Sequence, residues 1–218
     1  AVESIEEAAR RGSKVLIRSH GVAPEAYREL RARGMAYEDL TCPFVERIHR
    51  RVREQCADFS DILIVGKKDH PEVVGICGWA GEKALVVGSA TEAEALLPLK
   101  SVLVVAQTTI TRELFEAVCG IVRQKAGQCT VFDSICETTA LRQREAAEIA
   151  RQSDAMLVIG DRASSNSRKL YEIAKKYCKK VYFIEDAREV ALENFTECDI
   201  IGIVAGASAP DWIIREVC

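Results

Sequence analysis

The sequence predicts an α/β protein built from three small, mostly parallel sheets. Three observations point there. Short runs rich in Val and Ile recur along the chain, each about as long as a buried strand. Amphipathic stretches separate them, as βαβ units require. Clusters of Ser, Thr, His, Gly and Cys recur loosely after the apolar runs, which fits several similar modules better than one wide sheet. In an open parallel sheet, that strand edge is where ligands bind.

Taken in order, residues 1–12 (AVESIEEAARRG) read as a charged helix and not as a signal peptide. Strands are expected at Val15–Arg18, Glu38–Thr41, Ile62–Val65, Ala84–Val87, Val102–Ala106, Thr130–Phe132, Ala155–Ile159, Val181–Ile184 and Ile200–Val204. Helices are expected at Pro24–Arg33 and Val45–Ala57 between the early strands. Arg112–Lys125 follows the N-cap candidate Thr111, with Glu113 and Glu116 in its first turns. Leu141–Arg151, Ser167–Tyr177 and Pro210–Val217 complete the set, with Pro210 suited to a first helical position. Boundaries near residues 43 and 134 give a short first block (1–42), a second (43–133) and a third (134–218).

Composition narrows the function. The 218 residues are 48% hydrophobic and 29% charged, as in a soluble globular protein. A net charge of −3 gives no nucleic-acid footprint. No apolar run approaches the roughly 20 residues of a membrane span. A cytoplasmic protein with neither nucleic acid nor membrane as partner is expected. The nine cysteines are odd in number and form no Cys-x-x-Cys pair, which argues against a disulfide framework or a zinc ribbon. Cys77, Cys119 and Cys198 lie in apolar or helical surroundings and read as small core residues.

Seven segments carry chemistry. Ser164-Ser165-Asn166 follows a strand and Gly160 and opens a helix, so hydroxyls, an amide and free N–H groups meet at a positive helix end. The same residues also serve as a plain N-cap. Gly206-Ala207-Ser208-Ala209-Pro210 repeats that arrangement after the last strand. His20, at a strand tip before Gly21, is placed to donate to an anion. Asp69-His70-Pro71-Glu72 sets an imidazole and a carboxylate at a helix start, where they could bind an anion and deliver a proton. As a first-turn carboxylate, Glu72 would also simply suit the helix dipole. Gln107-Thr108-Thr109 adds an amide and hydroxyls at the same edge, or forms a plain turn. His49, in a basic stretch, reads as surface or as packing against a neighbouring module. Cys42 and Cys136 each lie between a strand and a helix, a position that suits thiolate chemistry. An iron–sulfur cluster at a module interface, a catalytic cysteine and a plain core thiol all remain open for them.

Together these segments resemble the 4-hydroxy-3-methylbut-2-enyl diphosphate reductase family (IspH or LytB). The resemblance runs through Arg18-Ser19-His20-Gly21-Val22, Thr41-Cys42-Pro43-Phe44-Val45 and His70-Pro71-Glu72-Val73 with Gly75 and Gly78-Trp79. It continues through Ala106-Gln107-Thr108-Thr109, Ile135-Cys136-Glu137-Thr138-Thr139 with Arg142-Gln143, Ser164-Ser165-Asn166-Ser167 and Gly206-Ala207-Ser208-Ala209-Pro210-Asp211-Trp212. It implies three α/β modules in a pseudo-threefold trefoil around a central cavity, with the first module truncated here.

The resemblance also implies a reductive dehydroxylation giving isopentenyl and dimethylallyl diphosphate in the non-mevalonate pathway. Electrons would come from a ferredoxin or flavodoxin through a [4Fe-4S] cluster. Cys42 and Cys136 would be cluster ligands. Glu72, helped by Thr108, would be the proton source. His20, His70, Thr108, Ser164, Ser165, Asn166 and Ser208 would hold the substrate. The family's Gly-Phe-Cys-x-Gly-Val segment, with its first cluster cysteine, and a following His-Asn pair have no match here. Asp161 stands where the family tends to carry a second glycine. The expectation is therefore a reductase whose own competence as this chain depends on a third cluster ligand, Cys218 being the spare thiol. The other readings are a non-catalytic diphosphate-binding remnant and another trefoil iron–sulfur enzyme of the quinolinate synthase type.

Overall fold

The computed structural model describes residues 4–12 and 14–218. All nine predicted strands are present and all pair in parallel. In chain order the elements are α1 (Ile5–Arg10), β1 (Val15–Ile17), α2 (Pro24–Ala32), β2 (Tyr37–Asp39), α3 (Pro43–Gln55), β3 (Asp61–Val65), α4 (Pro71–Ala80), β4 (Ala84–Val87) and α5 (Ala90–Glu94). There follow β5 (Leu99–Ala106), α6 (Arg112–Lys125), β6 (Ala126–Val131), α7 (Glu137–Gln152), β7 (Ala155–Ile159), α8 (Ser165–Tyr177), β8 (Lys180–Ile184), β9 (Ile201–Ala205) and α9 (Asp211–Val217). The expected opening helix is α1; residues 1–3 and 13 lie outside the described residues. Among the described residues no helix is long and apolar enough to cross a membrane.

Contacts divide the chain into two units, Ala1–Ile135 and Cys136–Cys218. The first unit holds a two-stranded sheet, β1-β2, and a four-stranded sheet in the order β4-β3-β5-β6. Its core joins Ile48 and Val52 of α3 to Ile62 and Ile64 of β3, Val73 and Ile76 of α4, and Leu103 and Val105 of β5. Central β3 and β5 are apolar on both faces because helices cover both, the usual condition of a parallel sheet. Their register pairs Val65 with Ala106, so the loops holding His70 and Thr108 leave the sheet side by side.

The second unit is a three-stranded sheet in the order β8-β7-β9. Strand β7 is buried throughout, and its side chains alternate between two cores. Met156 and Val158 meet Ala146 and Ala150 of α7 and Leu170 and Ala174 of α8. Leu157 and Ile159 meet Ile184 and Phe195 on the other face. Ile159 pairs with Ala205, which brings the turns after β7 and β9 together. Fully buried Ser167 shows how close they are. A Cβ on Gly160 or Gly206 would stand 2.4 or 2.1 Å from its Oγ, so both turns close only over glycine.

Candidate functional site

In the first unit the predicted proton donor sits at the start of α4. Its chain enters the helix through Pro71, which has no N–H to leave unpaired at a first-turn position. His70 is the N-cap, and its Nδ1 accepts from the Glu72 backbone N–H at 3.2 Å. Accepting at Nδ1 assigns the imidazole proton to Nε2, which remains as the donor for a ligand. Glu72 itself is 2% exposed. Thr108 holds both its oxygens: the backbone N–H donates to Oε1 at 2.7 Å and Oγ1 donates to Oε2 at 2.9 Å. Burial raises the Glu72 pKa to about 7, against the opposing pull of those two hydrogen bonds. A carboxyl so placed is a proton donor poised near neutrality.

The structure brings His20 against His70. The two rings meet edge to face, with centroids 5.2 Å apart and planes at 85°. Burial, then His20 and Lys67, lowers the His70 pKa to about 4. Burial, then Arg18, lowers that of His20. The pair is therefore neutral at neutral pH and offers N–H groups without fixed positive charge. A bound polyanion would favour their protonation, because an adjacent opposite charge stabilises the charged form.

Cys42 lies in the same unit, as N-cap of α3, and makes no side-chain cap bond. Its backbone N–H donates to the Ser19 carbonyl at 3.0 Å, next to His20. The preceding turn is fixed by Asp39, which accepts from the Thr41 N–H and from the Tyr27 hydroxyl at 2.7 Å. The Gln107 amide also proves structural. Its Oε1 accepts from Lys67 N–H at 3.0 Å and its Nε2 donates to Thr109 Oγ1 at 2.8 Å, tying together the loops that hold His70 and Thr108.

Two further residues of this neighbourhood are placed by the structure. Ser134 is 1% exposed; its Oγ accepts from Ala106 N–H at 2.7 Å and donates to Ala106 C=O at 2.8 Å. The hydroxyl thus continues the β5–β6 ladder beyond the end of β6 and anchors the strand immediately before Thr108. Ser134→Ala is expected to lower unfolding free energy by about 1–3 kcal/mol, because buried backbone groups lose their partner. Urea denaturation checks this. The other residue is His49, expected on the surface or against a neighbour. It is 5% exposed, stacked on Trp79 within this unit. The surface alternative fails because α3 turns Val45, Ile48, His49 and Val52 inward on one helical stripe.

In the second unit Cys136 is the N-cap of α7, again without a side-chain cap bond. Ser164 is the N-cap of α8 and accepts from Ser167 N–H at 3.4 Å. Ser165 and Asn166 open that helix. Asn166 is 8% exposed, and neither its Oδ1 nor its Nδ2 has a hydrogen-bond partner among the described residues. Ser208 lies in the turn closed by Ala209 N–H donating to Gly206 C=O at 3.0 Å. Gly206 N–H in turn donates to Ile159 C=O at 2.8 Å, which fixes that turn beside the end of β7. Asp161 makes up for the glycine expected there: its Oδ1 accepts from Ala163 N–H at 2.6 Å and closes the turn with a side chain. His20, Cys42, His70, Glu72 and Thr108 thus assemble in the first unit. Cys136, Ser164, Ser165, Asn166 and Ser208 belong to the second.

Among the described residues no group of three or more His, Cys, Asp or Glu side chains converges as a metal site. Cys42 and Cys136 have the donor chemistry of cluster ligands, as half-buried thiols at helix starts. Several other thiols are engaged elsewhere. Cys178 Sγ points at the carbonyls of Ser153, Asp154 and Lys180, and Cys56 Sγ at that of Ala80. Burial pushes the Cys119 thiol up to about 11.

Comparison with known proteins bears on the chain as a whole. The family model described as LytB protein matches residues 1–218. A 4-hydroxy-3-methylbut-2-enyl diphosphate reductase of Caldanaerobacter subterraneus subsp. tengcongensis is 42% identical over 207 residues, 95% of this chain and 72% of that protein. One of Clostridium perfringens (strain 13 / Type A) is 41% identical over 210 residues, 95% of this chain and 74% of that protein. Among solved structures, an (E)-4-hydroxy-3-methyl-but-2-enyl diphosphate reductase, described as the terminal enzyme of the non-mevalonate pathway, is 35% identical. It superposes with a TM-score of 0.65 over 99% of this chain and 83% of that one. The Plasmodium falciparum E-1-hydroxy-2-methyl-but-2-enyl-4-diphosphate reductase shares the fold, with a TM-score of 0.91 at 22% identity over 99% of this chain and 69% of that one. Matched along its whole length, the chain belongs to the LytB family.

Proposed function

We propose that this chain serves the reductive dehydroxylation of 4-hydroxy-3-methylbut-2-enyl diphosphate to isopentenyl and dimethylallyl diphosphate, as a cytoplasmic enzyme. The observation that carries the reading is Glu72: a buried carboxyl with a pKa near 7, gripped by Thr108, with the Glu72 backbone N–H donating to the His70 imidazole. His20 and His70 donate to the diphosphate from the first unit. In the second unit Ser164, Ser165, Asn166 and Ser208 are the proposed anion-binding residues, and the start of α8 adds backbone N–H groups. Glu72 gives its proton to the substrate, and Thr108 Oγ1 holds the carboxyl in place and relays the proton. Reduction of the allylic alcohol releases water and consumes protons as well as electrons, so a donor protonated at neutral pH is required.

When bound, a [4Fe-4S] cluster supplies the electrons, received from a ferredoxin or flavodoxin. Cys42 and Cys136 would hold it. The second reading is diphosphate binding without the redox centre. Titration calorimetry with isopentenyl diphosphate, beside iron and labile sulfide per chain after anaerobic reconstitution, decides between them. Binding heat with a stoichiometric cluster supports the reductase. Heat without iron supports the second reading, and no heat overturns both.

A further inference from the structure

The chain has three histidines. The proposed chemistry uses His20 and His70 and leaves His49. The third ring is nevertheless where the site-bearing elements of the first unit meet. It projects from α3, two turns after the N-cap Cys42. One face stacks on Trp79 of α4, with centroids 5.6 Å apart and planes at 29°. That indole donates from Nε1 to the Val22 carbonyl at 3.1 Å, on the loop that follows His20. The ring edge meets Gly21, whose φ is +67°. A Cβ there would stand 2.5 Å from His49 Cε1 and 3.1 Å from Thr41 Cγ2. His49 and Thr41 therefore wall a slot that only the glycine after His20 fits. A Cβ on Gly75, one turn after Glu72, would lie 3.4 Å from His49 Nε2.

One feature of this packing runs against stability. His49 Nε2 is buried without a hydrogen-bond partner among the described residues. A buried unsatisfied nitrogen destabilises the fold, so packing alone does not account for an imidazole at this position. Leucine would fill the volume without that cost, but a branched aliphatic cannot stack flat on the indole. Phenylalanine stacks but carries an extra ring atom into a contact that already excludes a Cβ. The five-membered ring is planar and thin enough to let the His20–Gly21 turn close on α4.

We infer that His49 is a positioning residue: it sets the edge contact between His20 and His70 by seating Gly21 between α3 and α4. The inference rests on reading His20 and His70 as anion-binding groups. With three histidines in the chain, the imidazole region of a ¹H–¹⁵N spectrum resolves each ring. His49→Asn leaves two, those of His20 and His70. Both are expected to shift, and the dissociation constant for inorganic pyrophosphate is expected to rise about tenfold, as misplaced binding groups lose their geometry. Val52→Ala, in the same helix and core, lowers stability without touching Gly21. It is expected to leave both signals and the pyrophosphate affinity unchanged. Unmoved His20 and His70 signals in His49→Asn overturn the inference, as does an equal shift in Val52→Ala. If His49→Asn does not fold, Trp79→Leu removes the stacking face and the bond to Val22, and is read by the same signals with the same expectation. A wild-type chain that binds no pyrophosphate counts against the proposed function, while the imidazole signals still decide the role of His49.

Discussion

Glu72→Gln is expected to reduce turnover by about 10²–10⁴-fold, the usual contribution of a general acid, while leaving the fold intact. The amide keeps the local hydrogen bonds. Its oxygen still accepts from the Thr108 N–H, and its NH₂ donates to Thr108 Oγ1 in place of accepting from it. The proton is lost and the shape is kept. In the wild type, turnover should decline as pH rises through about 7, where Glu72 ionises. Stability carries the same signature. The folded pKa lies above the unfolded value of 4.5, so the fold binds this proton more tightly than the unfolded chain does. The resulting stabilisation is fully present below pH 4.5 and is lost as pH rises through about 7. It amounts to roughly 3 kcal/mol. Glu72→Gln lacks that dependence, so the wild type's advantage over the variant should shrink between pH 5 and pH 8 in paired urea titrations. A constant difference would show that the carboxyl ionises as an ordinary one.

How much of this was readable beforehand depends on the range of the interactions. The strands were legible because Val- and Ile-rich runs need no partner to be recognised. The start of β6 was not, since Ala126–Val131 is largely polar and exposed or half-buried at a sheet edge. Helix α4 shows no amphipathic stripe. Val73, Ile76, Gly75 and buried Glu72 all face protein, and a helix covered on several sides has no polar face to give it a period. His49 was legible as either surface or packing against a neighbouring module, and the packing reading holds, since its ring meets Gly21 of the expected first block. Its basic neighbours Arg47, Arg50 and Arg51 drew attention from the spacing that places it with Val45, Ile48 and Val52. The local chemistry of His70-Pro71-Glu72 could be read from sequence, because Pro and the helix start fix it within three residues. Contacts across long separations could not. Neither the His20–His70 pair nor the bonds from Ser134 to Ala106 leave any trace in local spacing.

Asn166→Leu should move stability and binding in opposite directions, and that opposition makes it informative. Asn166 lies at the second position of α8, where an asparagine serving the helix would be solvated or bonded to nearby backbone. It does neither: it is 8% exposed with both amide atoms unpartnered. Each such atom costs about 1–3 kcal/mol. Leucine has the same branched skeleton and removes both polar atoms, so the variant should melt at an equal or higher temperature by calorimetry. On the proposed function, the amide persists against that cost because the diphosphate completes it. The Nδ2 group at a helix start can donate to an anion, and a hydrogen bond to a charged group is worth about 1.5–3 kcal/mol. Losing it should weaken binding of isopentenyl diphosphate by about 10- to 100-fold in titration calorimetry. If Asn166 only shaped the helix start, leucine would leave the affinity unchanged, and the diphosphate site would have to be sought elsewhere in the second unit. A variant that is more stable and binds less locates the anion at the start of α8.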